Sequence, residues 1–309
     1  MQRLKGNHHQ DLVRKAQGLA PLRTAVVHPV DEVSLAGAIE AGKENLIVPV
    51  LVGPEAKIRA AAKAAKLDLS GYEIVATEHS HAAAAAAVAL ARDRKVEALM
   101  KGSLHTDEFM GAIVHEEKLR TARRMSHVFV IDAPDYPRPL YVTDAALNIY
   151  PTLEDKVDIV QNAIELAHAL GLALPKVAIL SAVETVTSKI KSTIDAAALC
   201  KMADRGQITG GILDGPLAFD NAVSEEACKT KGIVSPVAGR ADILVVPDLE
   251  AGNILAKQLE YLAEAEIAGI VLGARVPIIL TSRADKTLAR LGSCAIALLL
   301  ARHTTEVEG

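Results

Sequence analysis

From Thr24 to Leu280 the chain alternates short β-branched and aliphatic runs with longer stretches whose apolar residues recur at helical spacing, and no other feature limits its fold as tightly. Residues 24–28, 46–52, 72–75, 98–100, 127–131, 140–143, 176–180, 208–213, 243–246, 268–272 and 276–280 read as strands. Helical stretches separate most of them, at 31–42, 55–67, 81–92, 107–118, 153–170, 192–204 and from Asn253 to Ala263. Parallel neighbours need a crossover between them, so this alternation implies largely parallel sheets with helices on their faces. Strands this numerous exceed one small sheet and imply two lobes with a cleft. The loop carrying Pro134, Pro137 and Pro139 marks a crossing between them. Thr152, with Asp155 three residues on, reads as a variant capping box opening the 153–170 helix.

Composition narrows the core and excludes several classes of function. Half of the 309 residues are apolar, yet aromatics are 3% and Trp is absent, so Ala, Val, Ile and Leu must fill the interior. A net charge of −4 with no basic block lacks the footprint of a nucleic-acid protein. Cys200, Cys228 and Cys294 are odd in number and widely spaced, which argues for a reducing compartment and against a disulfide frame or zinc knuckle. No apolar run reaches membrane-spanning length and the first residues are too polar for a signal peptide, which gives the expectation of a soluble cytoplasmic protein. The phosphate loop, the GxGxxG fingerprint, HExxH, CxxC and GxSxG are all missing, and no metal site is expected.

Polar residues of functional type collect just past the apolar runs: Lys101-Gly102-Ser103, Thr143-Asp144, Ser181 with Glu184, Asp214-Gly215-Pro216, Asp248 with Asn253, and Ser282-Arg283. Parallel strands carry all such ends to one edge, where ligands bind. Gly, Asp and Ser are also ordinary turn and cap residues, and each alone has that simpler reading. The stretch 276–290 reads as strand, turn and helix. The helix that follows the turn aims its unpaired N–H groups and positive dipole end at the spot occupied by a hydroxyl, Ser282, and a guanidinium, Arg283. That makes an anion site, or else Ser282 only caps the helix and Arg283 lies on the surface.

Lys101-Gly102-Ser103, Val142-Thr-Asp-Ala-Ala-Leu-Asn148, Asp195-Ala-Ala-Ala-Leu199, Asp214-Gly-Pro-Leu-Ala-Phe-Asp220-Asn-Ala222, Ala241-Asp-Ile-Leu-Val-Val-Pro-Asp248, Glu250-Ala-Gly-Asn253 and Leu280-Thr-Ser-Arg-Ala-Asp285 together resemble the phosphate acetyltransferase and phosphate butyryltransferase family. The likeness runs from about residue 23 to the end of the chain. It is nearest to the butyryltransferase-like branch and to the transferase portion of hydratase–phosphate acetyltransferase fusions. It implies two α/β/α lobes with mostly parallel sheets and an active cleft between them, as in isocitrate and isopropylmalate dehydrogenases. The lobes would be a discontinuous one at 1–130 and 265–309 and a second at 131–264. It further implies acyl-CoA, phosphate and acyl phosphate as partners, coenzyme A as a substrate with no tightly bound cofactor, no membrane partner, and a homodimer or larger homo-oligomer.

By the same resemblance the reaction is acyl-CoA plus phosphate giving acyl phosphate plus CoA. Its tetrahedral state is rich in negative charge and needs fixed donors. Arg283 suits the phosphate, since its planar fork binds two oxygens at once. Ser282 suits the oxyanion or the thiol, and Asp285, Asp144 and Asp214 are candidate bases. Lys101, Gly102, Ser103, Thr143, Asp144, Asp214, Gly215 and Asn253 are expected at the substrates. In the acetyltransferase branch an aspartate two helical turns beyond the Ser-Arg pair is taken as the base; here position 289 is Ala. The alternatives are a NAD-dependent decarboxylating dehydrogenase-like enzyme, for which a Tyr-Lys acid-base pair is lacking, and a non-catalytic phosphate or acyl-phosphate binding protein.

Overall fold

A computed structural model describes residues 8–280 and the helix 287–308, with side chains through residue 304. Ser282, Arg283 and Asp285 lie outside the described residues. The chain divides into two compact units, one built from His9–Arg123 together with the chain from Ala268 onward, the other from Arg124–Ile267 together with His8.

The first unit opens with α1 (His8–Gln17), then β1 (Leu22–Val27), α2 (Glu32–Lys43), β2 (Ile47–Gly53), α3 (Glu55–Ala64), β3 (Glu73–Ala76), α4 (Ser80–Arg92), β4 (Ala98–Lys101) and α5 (Thr106–His115). Asp31 starts α2 by accepting the Ser34 N–H at 2.7 Å. The alanine-rich α4 buries Ala83, Ala84, Ala87, Val88 and Ala91, a stripe at helical spacing. Methyl-sized side chains there let the helix lie close on β1 and β2, which explains an alanine run that looks featureless as a sequence.

The second unit holds β5 (Ser126–Asp132), β6 (Leu140–Thr143), α6 (Leu153–Ala169), β7 (Lys176–Leu180), α7 (Lys191–Asp204), β8 (Ile212–Leu217), α8 (Phe219–Val223), α9 (Glu225–Lys231), β9 (Ile243–Val245) and α10 (Leu249–Leu262). Its strand order is β5-β6-β9-β7-β8, with β5 antiparallel to β6 and the others parallel. The capping box is present: the Thr152 N–H donates to Asp155 Oδ2 at 2.9 Å and the Asp155 N–H to Thr152 Oγ1 at 3.2 Å. Between α6 and α7, Lys156 Nζ donates to Asp195 Oδ2 at 2.8 Å, with both side chains buried.

The expected strand at 208–213 is displaced. Gly206 and Gly210 take φ of 74° and 82°, so the chain is still turning there, and β8 begins only at Ile212. Asp214-Gly215-Pro216 therefore lies inside a strand. Within this unit β8 stands at the end of the strand order, where a proline without an N–H is tolerated. The helices α8 and α9 were not expected either, although Ser224 caps α9, the acidic Glu225 and Glu226 follow it, and Gly232 ends it at φ 65°.

The chain then returns to the first unit through β10 (Glu266–Leu272), β11 (Ile278–Ile279) and α11 (Thr287–Glu308). This completes an order of β3-β2-β1-β4-β11-β10, parallel except for β10 against β11. β11 is two residues long where the sequence suggests five. Its place is fixed by register, Ile279 lying opposite Met100. No helix among the described residues is long and apolar enough to cross a membrane.

Candidate active site

In the first unit, the carboxyl ends of β1 and β4 stay joined after the strands stop. The Gly102 N–H donates to Val27 O and the Ser103 N–H to His28 O, both at 2.9 Å. Gly102 is required by this approach, because a Cβ there would lie 2.4 Å from Val27 O. Lys101 is buried at the end of β4, and Ser103 is partly exposed beside it. Lys101, Gly102 and Ser103 are thus brought together on the edge where β11, the neighbouring parallel strand, also ends. Past α11's start, Ala289 is buried and its carbonyl accepts from Ser293 Oγ at 3.0 Å, so position 289 serves packing.

His28, which the sequence places at the end of the first strand, belongs to this group. Its Nδ1 lies 2.9 Å from the Ser103 carbonyl. A carbonyl only accepts, so Nδ1 carries the proton and Nε2 is the bare nitrogen. The backbone at His28 has φ 57°. Asn45, Lys66, Arg94 and Glu264 share positive φ, but each sits just past a helix end, where that conformation is ordinary. His28 instead ends a strand and precedes Pro29, a context that favours extended backbone. Holding it there costs on the order of 1–3 kcal/mol.

In the second unit, the ends of β6 and β9 make a different kind of edge. Thr143 is fully buried and its hydroxyl donates to His127 O at 2.8 Å. Asp144, also buried, accepts the N–H groups of Ala146 and Leu147 on Oδ1 at 2.9 and 3.0 Å. Its Oδ2 accepts the Asn148 N–H at 3.3 Å and the Asn148 Nδ2 at 2.6 Å. Asn253, in the first turns of α10, donates from Nδ2 to Ala145 O at 3.3 Å. Thr143, Asp144 and Asn253 are therefore assembled into one hydrogen-bonded loop. His127 lies in β5 beside that loop, buried, its ring edge-on to Phe129 with centroids 4.4 Å apart. Burial pushes its imidazole down to about 4, against the opposing pull of the Asp144 charge.

Asp214 and Gly215 are not brought to that loop. They lie three strands away in the order β6-β9-β7-β8, with Asp214 opposite Ala178 in mid-strand. Asp214 Oδ1 accepts the N–H of its own neighbour Gly215 at 2.8 Å. Gly215 supplies clearance: a Cβ would meet Ile179 O at 2.6 Å. The Cys200 thiol touches the Gly215 carbonyl at 3.7 Å, and burial pushes it up to about 12, so it stays a protonated thiol. Ser181, at the end of β7, shares a hydrogen bond with Ser192 Oγ at 2.8 Å. Beyond it, Lys231 bridges Glu184 at 2.9 Å and Asp220 at 3.0 Å, and its hydrogen bonds hold both carboxyls below their ordinary range. Among the described residues no group of three or more His, Cys, Asp or Glu side chains is arranged to hold a metal ion.

These geometries can be set beside known proteins. The family profile described as "Phosphate acetyl/butaryl transferase" matches residues 76–298. A phosphate acetyltransferase from Rhizobium meliloti is 64% identical over 94% of this chain and 92% of its own length. A phosphate butyryltransferase from Clostridium beijerinckii is 42% identical over 94% of this chain and 97% of its own. Among solved structures, a branched-chain phosphotransacylase from Enterococcus faecalis superposes with a TM-score of 0.79 at 30% identity, covering 90% of this chain and 99% of that one. By length, identity and fold together, the chain belongs to the phosphate acetyl- and butyryltransferase family.

Proposed function

We propose that this chain is a phosphate acyltransferase that moves an acyl group reversibly between coenzyme A and inorganic phosphate, with acetyl as the preferred group. The observation that carries the reading is the 64% identity to a phosphate acetyltransferase across 94% of the chain. A decarboxylating dehydrogenase and a non-catalytic binding protein are not favoured by that likeness. Acyl-CoA, phosphate and acyl phosphate are the partners, and CoA is consumed as a substrate. We assign the protein to the cytoplasm as a homodimer or larger assembly.

In this reading Arg283 binds the phosphate through two oxygens and Ser282 donates to the oxyanion of the tetrahedral intermediate or orients the thiol. Lys101, Gly102 and Ser103 present a cation, a close backbone approach and a hydroxyl to the anionic substrates. Asp285 is kept as a candidate base. Asp144 and Asn253 act by holding the loop after β6, since their polar atoms are already engaged there. Asp214 acts by shaping β8.

The test is an assay of purified protein with acetyl, butyryl and branched-chain acyl phosphates, reading CoA-dependent thioester formation and its phosphate-driven reversal. The expected outcome is exchange with all three substrates at differing kcat/KM, acetyl highest. Absence of CoA-dependent turnover with every acyl phosphate overturns the reading.

A further inference from the structure

We infer that His28 is the general base for the thiol of coenzyme A in this chain, an assignment that rests on the acyl-exchange reading above. The hydrogen bond to the Ser103 carbonyl at 2.9 Å puts the proton on Nδ1. Nε2 is left as a bare lone pair that is neither bonded to a described residue nor buried. A histidine oriented by a second group, with its other nitrogen open at a strand end, is arranged for proton transfer.

Place supports the same conclusion. Register sets Val27 opposite Lys101 and Ile279 opposite Met100, so the ends of β1, β4 and β11 are consecutive along one edge. At about 4.8 Å per strand, His28 stands roughly 10 Å from the end of β11. An imidazole and the pantetheine end of a CoA molecule together bridge that span. The ring also lies near Gly53 at the end of β2, where a Cβ would come within 3.8 Å of His28 Cδ2. The first described turn of α11 carries no carboxylate, so Asp285, outside the described residues, is the competing candidate for the role. Among the described residues, the titratable groups on the segments meeting at this edge include Lys101, Asp31 and Glu32 after His28, Glu55 at the start of α3, and His105, Asp107 and Glu108 at the start of α5.

The left-handed backbone is the second observation. Among non-glycine residues with positive φ in the described chain, His28 alone is not explained by a helix end. The conformation turns the ring toward Ser103, and the backbone bonds from Gly102 and Ser103 to the β1 end hold it there.

In the step itself, Nε2 accepts the thiol proton as sulfur bonds to the carbonyl carbon of the acyl phosphate. The carbon–oxygen bond to phosphate then breaks and phosphate leaves with the electron pair. The imidazolium gives its proton to the departing phosphate or to water. In the reverse direction the same imidazolium protonates the leaving thiolate.

The experiment compares wild type, His28→Gln and His28→Ala in acyl phosphate–CoA exchange across about pH 5.5–9, with and without added imidazole. The expected result is a kcat loss of about 100-fold in both variants, with acyl phosphate KM changed less than about threefold. The acid limb of the pH profile disappears in His28→Gln, and imidazole restores His28→Ala at least about tenfold. Retention of wild-type kcat and of the acid limb in His28→Gln overturns the assignment. So does a loss that imidazole does not restore in a variant that unfolds at the wild-type denaturant midpoint. If His28→Ala fails to fold, His28→Gln alone decides through its pH profile. An inactive wild type would overturn the acyltransferase reading itself, a result distinct from an active enzyme indifferent to His28.

Discussion

The carboxyl edges of the two units use polar residues in opposite ways. At the end of β6, Asp144 spends both oxygens on Ala146, Leu147 and Asn148, and Asn253 ties the same loop to α10. At the ends of β1 and β4 the joining is done by backbone groups of Val27, His28, Gly102 and Ser103 together with His28 Nδ1. An edge whose side chains satisfy one another is rigid and chemically quiet. An edge joined mainly through its backbone leaves His28 Nε2 without a bond to any described residue.

This contrast fails at once if Asp144 is dispensable. Asp144→Ala leaves the part-buried N–H groups of Ala146 and Leu147 and the buried backbone and Nδ2 donors of Asn148 without their acceptor, and is expected to cost about 4 kcal/mol of stability. The measurement is the urea midpoint, with activity falling in step with the folded fraction. A variant of normal stability that has lost turnover would move Asp144 to the chemical side of the comparison.

His127 sharpens it through pH. Its imidazole titrates near 4 when folded and near 6.5 when exposed, so the unfolded chain takes up the proton first as pH falls. The stability it contributes is full above about pH 6.5 and is lost on the way down to pH 4, on the order of 3 kcal/mol. His127→Phe is expected to flatten that slope in urea titrations at pH 7 and pH 4.5. Equal acid losses in the two proteins would mean that other groups carry the dependence.

The smallest effect falls on the first unit's side. Arg283→Lys is expected to lower kcat/KM by at least tenfold, about 1.4 kcal/mol in the transition state, through phosphate KM or kcat, while the urea midpoint stays where it was. Unchanged kcat/KM would remove Arg283 from phosphate binding.

Much of the fold was legible because its signals are local. The strand and helix alternation gives the mostly parallel strand order within each unit, and Thr152 with Asp155 announces α6 four residues ahead of anything buried. What was misread depends on neighbours. Asp214-Gly215-Pro216 carries turn chemistry, and only its end place in the strand order and the tight approach of Ile179 O make it strand. The loop-holding use of Asp144 was visible in principle, since an aspartate followed by small residues is a common side-chain-to-backbone turn. His28 was not visible, because its meaning lies in a bond to Ser103, 75 residues away.

The first unit is assembled from two stretches separated by the whole of the second, and β11 enters between β4 and β10. During synthesis β4 therefore waits with one side unpaired while residues 102–277 are made. Apart from His8, the described part of the second unit is continuous, Arg124–Ile267. A nascent chain halted before Val276 presents Ala98–Lys101 as an open, apolar strand edge. Chaperone dependence and aggregation of truncated products should centre on that segment.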